Sequence, residues 1–147
     1  MFFFKRKKRQ RTIYLTEEGQ HHHLGEIWDR VNAEYFEGRL QLKITWFHRR
    51  FKEAPRRIIL GSYHFKPQLI RINNYLDQAH IPSYFVEYIV YHEALHHVLP
   101  PRPGKWGKRA IHHAEFKALE KKFKHYDQAK AYSKEIKSAL FEGKAKS

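Results

Sequence analysis

Apolar and polar positions recur along this chain with two different periods, and these periods predict its elements. From residue 16 to residue 38, apolar residues recur at helical spacing, which predicts an amphipathic helix that stops at Gly38. The apolar stripe of this helix consists of Leu24, Ile27, Trp28, Val31, Tyr35 and Phe36. Three shorter segments at 42–47, 57–62 and 69–73 are rich in Ile, Leu and aromatic residues, and polar or proline-containing turns separate them. They predict a small three-stranded antiparallel sheet.

A second helical pattern begins at Pro82 or Ser83, because proline is tolerated in the first turn of a helix. One face of this helix carries two histidines among apolar residues, namely Phe85, Ile89, His92, His96 and Leu99. The proline-rich loop at 100–104 ends it, and two further helices are predicted at 108–124 and 127–140. The predicted fold class is α+β, with one domain at 13–142 between a flexible basic tail at 1–12 and a C-terminal tail at 143–147.

The chain of 147 residues contains no cysteine. It therefore forms neither a disulfide bond nor a cysteine-based zinc site, and any metal ion must be held by His, Asp or Glu. The absence of cysteine fits a cytoplasmic protein. No apolar run approaches the roughly 20 residues that a transmembrane helix needs. We therefore expect a cytoplasmic protein without a transmembrane segment.

Basic residues greatly outnumber acidic ones, since 29 Lys and Arg against 15 Asp and Glu give a formal net charge of +14. A surface of this kind attracts polyanions. The basic groups are spread over the segments 5–11, 49–57, 102–109 and 117–124, which suits a nucleic acid backbone better than one small anion. DNA is therefore a candidate partner. The alternatives are a solvated basic surface without a dedicated ligand and, more weakly, contact with an anionic membrane.

The sequence His92-Glu93-Ala94-Leu95-His96 is the most specific chemical signal in the chain. In a helix, residues four apart lie one turn above each other, so His92 and His96 can bind one metal ion while Glu93 stands beside it. This spacing is typical of zinc proteases, in which the carboxylate takes a proton from a metal-bound water. The predicted cofactor is Zn²⁺ and the predicted catalytic base is Glu93. A chance match is the alternative, since the chain contains 12 histidines.

A catalytic zinc site usually has three protein ligands, so the two histidines need a partner. The metzincin pattern requires Gly three residues and His six residues after the second histidine, and neither is present. The next predicted helix offers His112 and His113. Helical periodicity groups His112 with apolar residues, and His113 with charged residues that include Glu120, so His112 is the predicted third ligand. Glu115 is the alternative, either as a ligand or as an acceptor for an imidazole N–H.

Several segments, in order along the chain, resemble one family of metalloproteases. Residues 32–40, Asn-Ala-Glu-Tyr-Phe-Glu-Gly-Arg-Leu, match the NxxYFxGxL signature that opens SprT-like domains. The segments 44–46, 61–62 and 70–73 follow in the family's order. Residues 112–116, His-His-Ala-Glu-Phe, are similar to the family's HGxEF segment, which aligns its third zinc-binding histidine with His112. The chain differs in having His113 in place of glycine and in lacking the cysteine zinc ribbon of many bacterial relatives, so it resembles a minimal form.

The resemblance implies a zincin-like fold in which an N-terminal helix and a small sheet precede helices that hold zinc on His92, His96 and His112. It also implies a metalloendopeptidase with Glu93 as its base. Because eukaryotic relatives cleave proteins crosslinked to DNA, it implies DNA-associated protein substrates, and an extended substrate is expected to pair with a sheet edge. The alternative function is a basic nucleic-acid-binding module with a structural or vestigial zinc site and no protease activity. A third class is an adaptor that docks on anionic membrane.

Overall fold

The computed structural model describes residues 14–48 and 58–145, in which four α-helices and two small sheets form a mixed α+β fold. The predicted fold class is therefore confirmed, and the predicted tail at 1–12 lies outside the described residues. The helices are α1 (Leu24–Phe36), α2 (Ser83–Val98), α3 (Ala114–Glu120) and α4 (Tyr126–Ala145). The strands are β1 (Lys43–Phe47), β2 (Gly61–His64), β3 (Leu69–Asn73), β4 (Arg102–Pro103) and β5 (Arg109–Ala110), and 3₁₀ turns occupy Asn74–Leu76 and Lys105–Gly107.

Helix α1 begins eight residues later than predicted. The side chain of His23 caps it by accepting a hydrogen bond from the backbone N–H of Glu26 at 3.3 Å. Upstream, the carbonyl oxygen of Thr16 accepts from the N–H of Trp46 in β1 at 2.9 Å. The carboxylate of Asp77 accepts from the backbone N–H groups of three further residues in this segment. These tertiary contacts hold the segment out of the helix, and local periodicity cannot reveal them.

Helix α1 ends as predicted, with a left-handed turn at Glu37 and Gly38, whose φ values are 55° and 68°. Glycine suits this conformation because it has no Cβ. The side chain of Asn32 holds the following loop by donating to the carbonyl of Leu40 at 2.8 Å and accepting from its N–H at 3.2 Å. Residues of the NxxYFxGxL segment therefore stabilise the turn that leads from α1 into β1.

The three-stranded sheet is mixed, with strand order β1-β3-β2, so the prediction of an all-antiparallel sheet is wrong. β3 runs parallel to β1, with Leu69 opposite Lys43, and antiparallel to β2, with Ile72 opposite Gly61. Alternating apolar residues identify a strand and its buried face, but they do not give its neighbours or its direction. β3 occupies the centre, where four of its five residues are buried. β1 and β2 are therefore the two edges of this sheet.

Helix α2 forms the centre of the core. It begins at Ser83 after Pro82, as predicted, and nine of its sixteen residues are buried. It packs against α1, against β2 and β3, and against α3 and α4. Because neighbouring elements surround α2, its polar side chains face other parts of the protein instead of bulk water. The residues of the HEALH sequence consequently lie at an internal junction of the fold.

The segment after α2 differs most from the prediction. β4 and β5 form a short hairpin, and α3 begins only at Ala114, so the first third of the helix predicted at 108–124 is wrong. His113 caps α3, because its Nδ1 accepts from the N–H of Phe116 at 3.4 Å. His112 therefore lies in the turn between β5 and α3, and it is not part of a helix.

Helix α4 starts within one residue of its predicted start and continues to Ala145, past the predicted domain end at 142. Residues 146–147 of the predicted C-terminal tail lie outside the described residues. The helix packs on α2 and buries Ala129 and Ile136 in the core. In the described part of the chain, no helix combines the length and the apolar content that crossing a membrane requires.

Candidate metal centre

Three histidines from two parts of the chain converge near the C-terminal end of α2. His92 and His96 lie one helical turn apart, and their ring centroids are 5.0 Å apart. The turn before α3 places His112 opposite them, with its ring centroid 5.0 Å from each of the other two. One ligand nitrogen of each ring lies within 4.8 Å of the others. These three side chains are close enough to hold one metal ion.

The spacing of the nitrogens suits a tetrahedral metal ion. Imidazole nitrogens that lie about 2.0–2.1 Å from zinc in such a site are about 3.3 Å from one another. The Nε2 atoms of His96 and His112 are 3.3 Å apart. Among the described residues, no other group of three or more His, Asp or Glu side chains lies close enough to share an ion. The separation of this pair matches a tetrahedral site, and imidazole is a ligand that zinc and other first-row divalent metals accept.

The ring of Phe116 in α3 packs against all three imidazoles. Its side chain is fully buried, and its ring centroid lies 5.1 Å from that of His92, 4.7 Å from that of His96 and 4.9 Å from that of His112. An apolar wall restricts the rotation of the rings and excludes water from one side of them. Helix α3 thus contributes packing, while the turn before it contributes the third imidazole.

The two adjacent histidines have different roles. His113 caps α3 with its Nδ1, and its Nε2 is buried without a hydrogen-bond partner in the described part of the chain. His112 is the one that meets His92 and His96. The helical stripe from which His112 was predicted does not exist, since the helix begins two residues after it. The three predicted residues, His92, His96 and His112, nevertheless lie together. The turn before α3, and not a helix, places His112 beside the other two.

Glu120 at the end of α3 is a residue of this centre that periodicity assigned to the charged face. Its side chain is buried, and its Oε2 lies 3.3 Å from Nδ1 of His92. The hydroxyl of Tyr88 donates to the other oxygen, Oε1. The carboxylate therefore orients the ring of His92 so that Nε2 faces the centre. No local signal separates Glu120 from the lysines of its stripe, because only the packing of α3 on α2 brings it to His92.

Hydrogen bonds determine the charge of Glu120. Burial alone would raise the pKa of this carboxyl, but the hydrogen bonds from His92 and Tyr88 outweigh burial and lower its pKa to about 2. Burial and the neighbouring Glu120 raise the pKa of the Tyr88 hydroxyl, which stays a donor. Glu120 is therefore a carboxylate at neutral pH and a fixed negative charge beside the imidazoles.

Burial keeps two of the imidazoles neutral. It lowers the pKa of His96 to about 4, and the nearby His92 and His112 add to this effect. Burial, followed by the charge of His92, also lowers the pKa of His112. A neutral imidazole has the free lone pair that a metal ligand needs. At neutral pH these two rings can therefore bind a metal ion without first losing a proton.

Glu93 lies beside the three histidines and is almost completely buried. It is 7% exposed, and burial raises its pKa to about 7, against a smaller lowering by His92. Its Oε2 is 4.0 Å from Nε2 of His96. A carboxyl whose pKa is near the working pH can both accept and release a proton. Glu93 therefore has the position and the proton affinity of an acid–base group.

Gly61, the first residue of β2, has no side chain that would collide with the side chain of Glu93. A Cβ at Gly61 would lie 2.8 Å from Cγ2 of Ile89 and 3.2 Å from Cγ of Glu93. Side chains larger than hydrogen would therefore push β2 away from α2 or displace one of these two residues. The glycine allows the strand edge to pass directly beside the acid–base group.

Glu115, the alternative third ligand, lies outside the centre. It is exposed, and its two oxygens accept hydrogen bonds from the guanidinium of Arg102 at 2.9 and 2.6 Å. Arg102 and Glu115 lie before and after His112 in the chain, so their ion pair joins the two ends of the segment that carries this histidine. An exposed pair of this kind contributes little stability by itself. Its role is to connect β4 to α3.

An open cavity of about 510 Å³ leads to the three histidines and to Glu93. One wall is formed by Ile89, Ile111 and residues 58–61, which include the start of β2. The other wall is formed by α3 and α4, with Tyr126 among its residues. The centre is therefore accessible from outside, and its volume is in the range of typical ligand sites.

No family model, curated protein or solved structure matches this chain. The chemistry of the centre therefore follows from its own residues. Structural zinc sites are usually closed by four protein ligands, whereas catalytic sites use three and keep one position open. Here the described residues supply three imidazoles, an acid–base carboxyl beside them and an open cavity. Such an arrangement suits the hydrolysis of a bound substrate.

Proposed function

We propose that this chain is a zinc-dependent metalloendopeptidase with a SprT-like, zincin-like domain. The observation that carries the proposal is the convergence of His92, His96 and His112 beside the buried carboxyl of Glu93 in an open cavity. A site that only stabilised the fold would need neither the carboxyl nor the cavity. Three imidazoles are a donor set that zinc binds well, which supports zinc as the cofactor.

In this proposal each residue of the centre has one task. The three histidines hold the ion, and Glu120 keeps the ring of His92 in orientation. The bound ion supplies Lewis acidity, which activates water and polarises a peptide carbonyl. Glu93 takes the proton from the attacking water and returns it to the leaving amine. The distance of 4.0 Å between Glu93 and His96 places the carboxylate within reach of a water molecule at the centre.

The substrate pairs with β2 in this proposal. β2 is the sheet edge that begins at the cavity, since its first residue, Gly61, lines the cavity with the preceding residues 58–60, and β3 lies on the other side of the strand. Within the described fold, no further strand pairs with the outer edge of β2. An extended peptide that adds to this edge forms main-chain hydrogen bonds that require little sequence specificity. The scissile bond then lies close to Glu93.

Two further features support a SprT-like protease that acts on DNA-associated proteins. The residues of the matched segments have structural tasks here: Asn32 and Gly38 form the turn after α1, and Phe116 packs against the imidazoles. The net charge of +14 supports a polyanionic partner near the substrate. The substrate class is carried over by analogy with the family, because a fold by itself does not imply a function.

A nucleic-acid-binding module with a structural or vestigial zinc site is the second candidate, and the net charge of +14 favours it. This candidate leaves the buried carboxyl of Glu93 and the open cavity without a task. Proteolysis uses both. The two candidates make different predictions for the variant described next.

The test of the proposed function is Glu93→Gln, which removes the proton acceptor and keeps the size of the side chain. We expect both the variant and the unaltered protein to bind one zinc ion per chain in elemental analysis. We expect it to cleave an unstructured protein at least about 100-fold more slowly, since general acid–base catalysis contributes this much or more. Cleavage is measured with and without single-stranded DNA, so that a DNA requirement is detected in the same assay.

Glu87→Gln is the matched control, because Glu87 lies on the same helix, outside the cavity, in an ion pair with Arg30. This variant should cleave at the original rate. Unchanged cleavage by Glu93→Gln would exclude Glu93 as the base. A zinc-loaded protein that binds DNA but cleaves no substrate would favour the nucleic-acid-binding module.

A further inference from the structure

The cavity wall formed by α3 and α4 is basic. Its basic residues are Lys117, Lys121, Lys130 and Lys137, and we refer to these four as the lysine wall; Glu120, at the end of α3, is the acidic residue of the same wall. The acidic residues of the lining are Glu93 and Glu120, and the latter is held by His92 and Tyr88. In the described part of the chain, no lysine of this wall forms an ion pair or a side-chain hydrogen bond. Four ammonium groups are therefore available to a ligand in the cavity.

The α4 part of the wall is a continuous helical stripe. Tyr126, Lys130, Ser133 and Lys137 all line the cavity, and their spacing of four, three and four residues places them on one face of the helix. The backbones of Lys130 and Lys137 are separated by seven residues, or about 10 Å along the helix axis. This distance equals about three residues of an extended peptide, at roughly 3.3 Å each. The stripe can therefore contact several side chains of one extended ligand.

The two walls of the cavity have opposite character. The apolar part of the lining comes from other elements and consists of Ile58, Ile59, Leu60, Ile89 and Ile111, together with Gly61. In the binding mode proposed above, a peptide paired with β2 has its backbone near these apolar residues and its far side toward α4. A cavity of about 510 Å³ holds a few residues of extended chain.

We propose that the lysine wall selects polypeptide substrates with acidic residues on the side of the scissile bond that lies along α4. This inference rests on the proposed function, since it names the substrate class of the same centre. Carboxylates are attracted because four exposed lysines line the cavity, whereas its two acidic residues, Glu93 and Glu120, are buried. The charge of Lys130 acts on Glu120, but none of the four ammonium groups is held in an ion pair within the described residues, so each loses little when it pairs with a substrate carboxylate. The preference is therefore for glutamate and aspartate over their neutral amides.

The test compares fluorescent peptides that differ only in three residues on one side of a common central sequence, Glu-Glu-Glu against Gln-Gln-Gln. Both orientations are made, so that the acidic segment lies before or after the central bond. Binding is measured by anisotropy on zinc-loaded Glu93→Gln, which is expected not to cleave the peptide. We expect the Glu peptide of one orientation to bind roughly tenfold more tightly than its Gln counterpart, and this difference to shrink as salt is added.

The double variant Lys130→Glu/Lys137→Glu should weaken binding of the Glu peptide roughly tenfold and leave the Gln peptide unchanged. The control is Lys122→Glu/Lys134→Glu, which makes the same change in net charge at exposed positions outside the cavity. Equal binding of both peptides, or an equal loss in both double variants, would overturn the proposal. Loss of single-stranded DNA binding in the first variant, with Glu peptide binding intact, would assign the wall to nucleic acid and overturn it as well.

Failure of this proposal and failure of the proposed function are distinguishable, because binding does not require cleavage. A protein that prefers the Glu peptide in binding but cleaves neither peptide supports the lysine wall and contradicts the protease. A protein that binds and cleaves both peptides equally contradicts the acidic preference and leaves the protease intact.

Discussion

The buried carboxyl of Glu93 is expected to reduce the stability of the metal-free protein at neutral and alkaline pH. Burial raises its pKa from 4.5 to about 7 in the fold, whereas the unfolded chain keeps the ordinary value. Folding therefore favours the protonated form. The free energy of unfolding falls as the pH rises above the unfolded pKa, and the loss is complete once the carboxyl is ionised in both states. The full loss is about 3 kcal/mol.

Glu93→Gln removes this pH dependence, because the amide has a similar shape and no charge. Between pH 5 and pH 8, a change in pKa from 4.5 to about 7 corresponds to a loss of about 2.5 kcal/mol of stability. The advantage of the variant over the unaltered protein should therefore be about 2.5 kcal/mol larger at pH 8 than at pH 5. Comparing the two pH values cancels any effect of the substitution that does not depend on pH.

The assay is urea denaturation of zinc-free protein at several pH values, followed by circular dichroism, with a chelator present throughout. Glu87→Gln is again the control, since the same substitution outside the cavity should give a curve parallel to that of the unaltered protein. Parallel pH curves for Glu93→Gln and the unaltered protein would refute the reasoning, because they would show that the carboxyl ionises in the fold as it does in the unfolded chain. This result would not depend on zinc or on catalysis.

Three other substitutions test the surroundings of the centre. His112→Ala should lose bound zinc in elemental analysis. His113→Ala should retain zinc and lose only about 1 kcal/mol of stability, because it removes the cap of α3. The reverse result would exchange the roles of the two histidines. Glu120→Ala should weaken zinc binding by about 10- to 100-fold in competition with a chelating dye, because a ligand histidine loses its acceptor. Gly61→Ala should keep zinc but lower kcat/KM roughly tenfold or more, because the added Cβ displaces Glu93. Unchanged activity would show that β2 can move away from α2 to make room for the Cβ.

The part of the centre on α2 could be predicted from the sequence because its geometry is local. Pro82 marks the start of the helix, and the spacing of four residues alone places His92 and His96 one turn apart. The position of Glu93 relative to them follows from the same helix. Whether this carboxyl was buried could not be predicted, since burial depends on how closely β2 approaches at Gly61.

His112 lies beside His92 and His96 as expected of a third ligand, but the helix from which it was predicted does not exist at that position. The expected stripe required α3 to begin near residue 108, but β4 and β5 occupy this segment and His113 caps the helix that follows. The hairpin depends on pairing between distant residues, and the ion pair of Arg102 with Glu115 spans thirteen positions. Periodicity describes only local order, so it could identify neither the hairpin nor the turn. The same limit explains why the direction of β1 relative to β3 was predicted wrongly.

Two buried carboxyls in the same cavity show why the roles of this centre depend on packing. Glu120 accepts hydrogen bonds from His92 and Tyr88, and its pKa falls to about 2, whereas Glu93 accepts none from the described residues and its pKa rises to about 7. When the surroundings of two carboxyls shift their pKa values in opposite directions, the two carboxyls are suited to different chemical roles. A group that is ionised at every working pH can orient a histidine but cannot carry a proton. A group that is desolvated and without donors can carry one, so the proposed function assigns proton transfer to Glu93 and the positioning of His92 to Glu120.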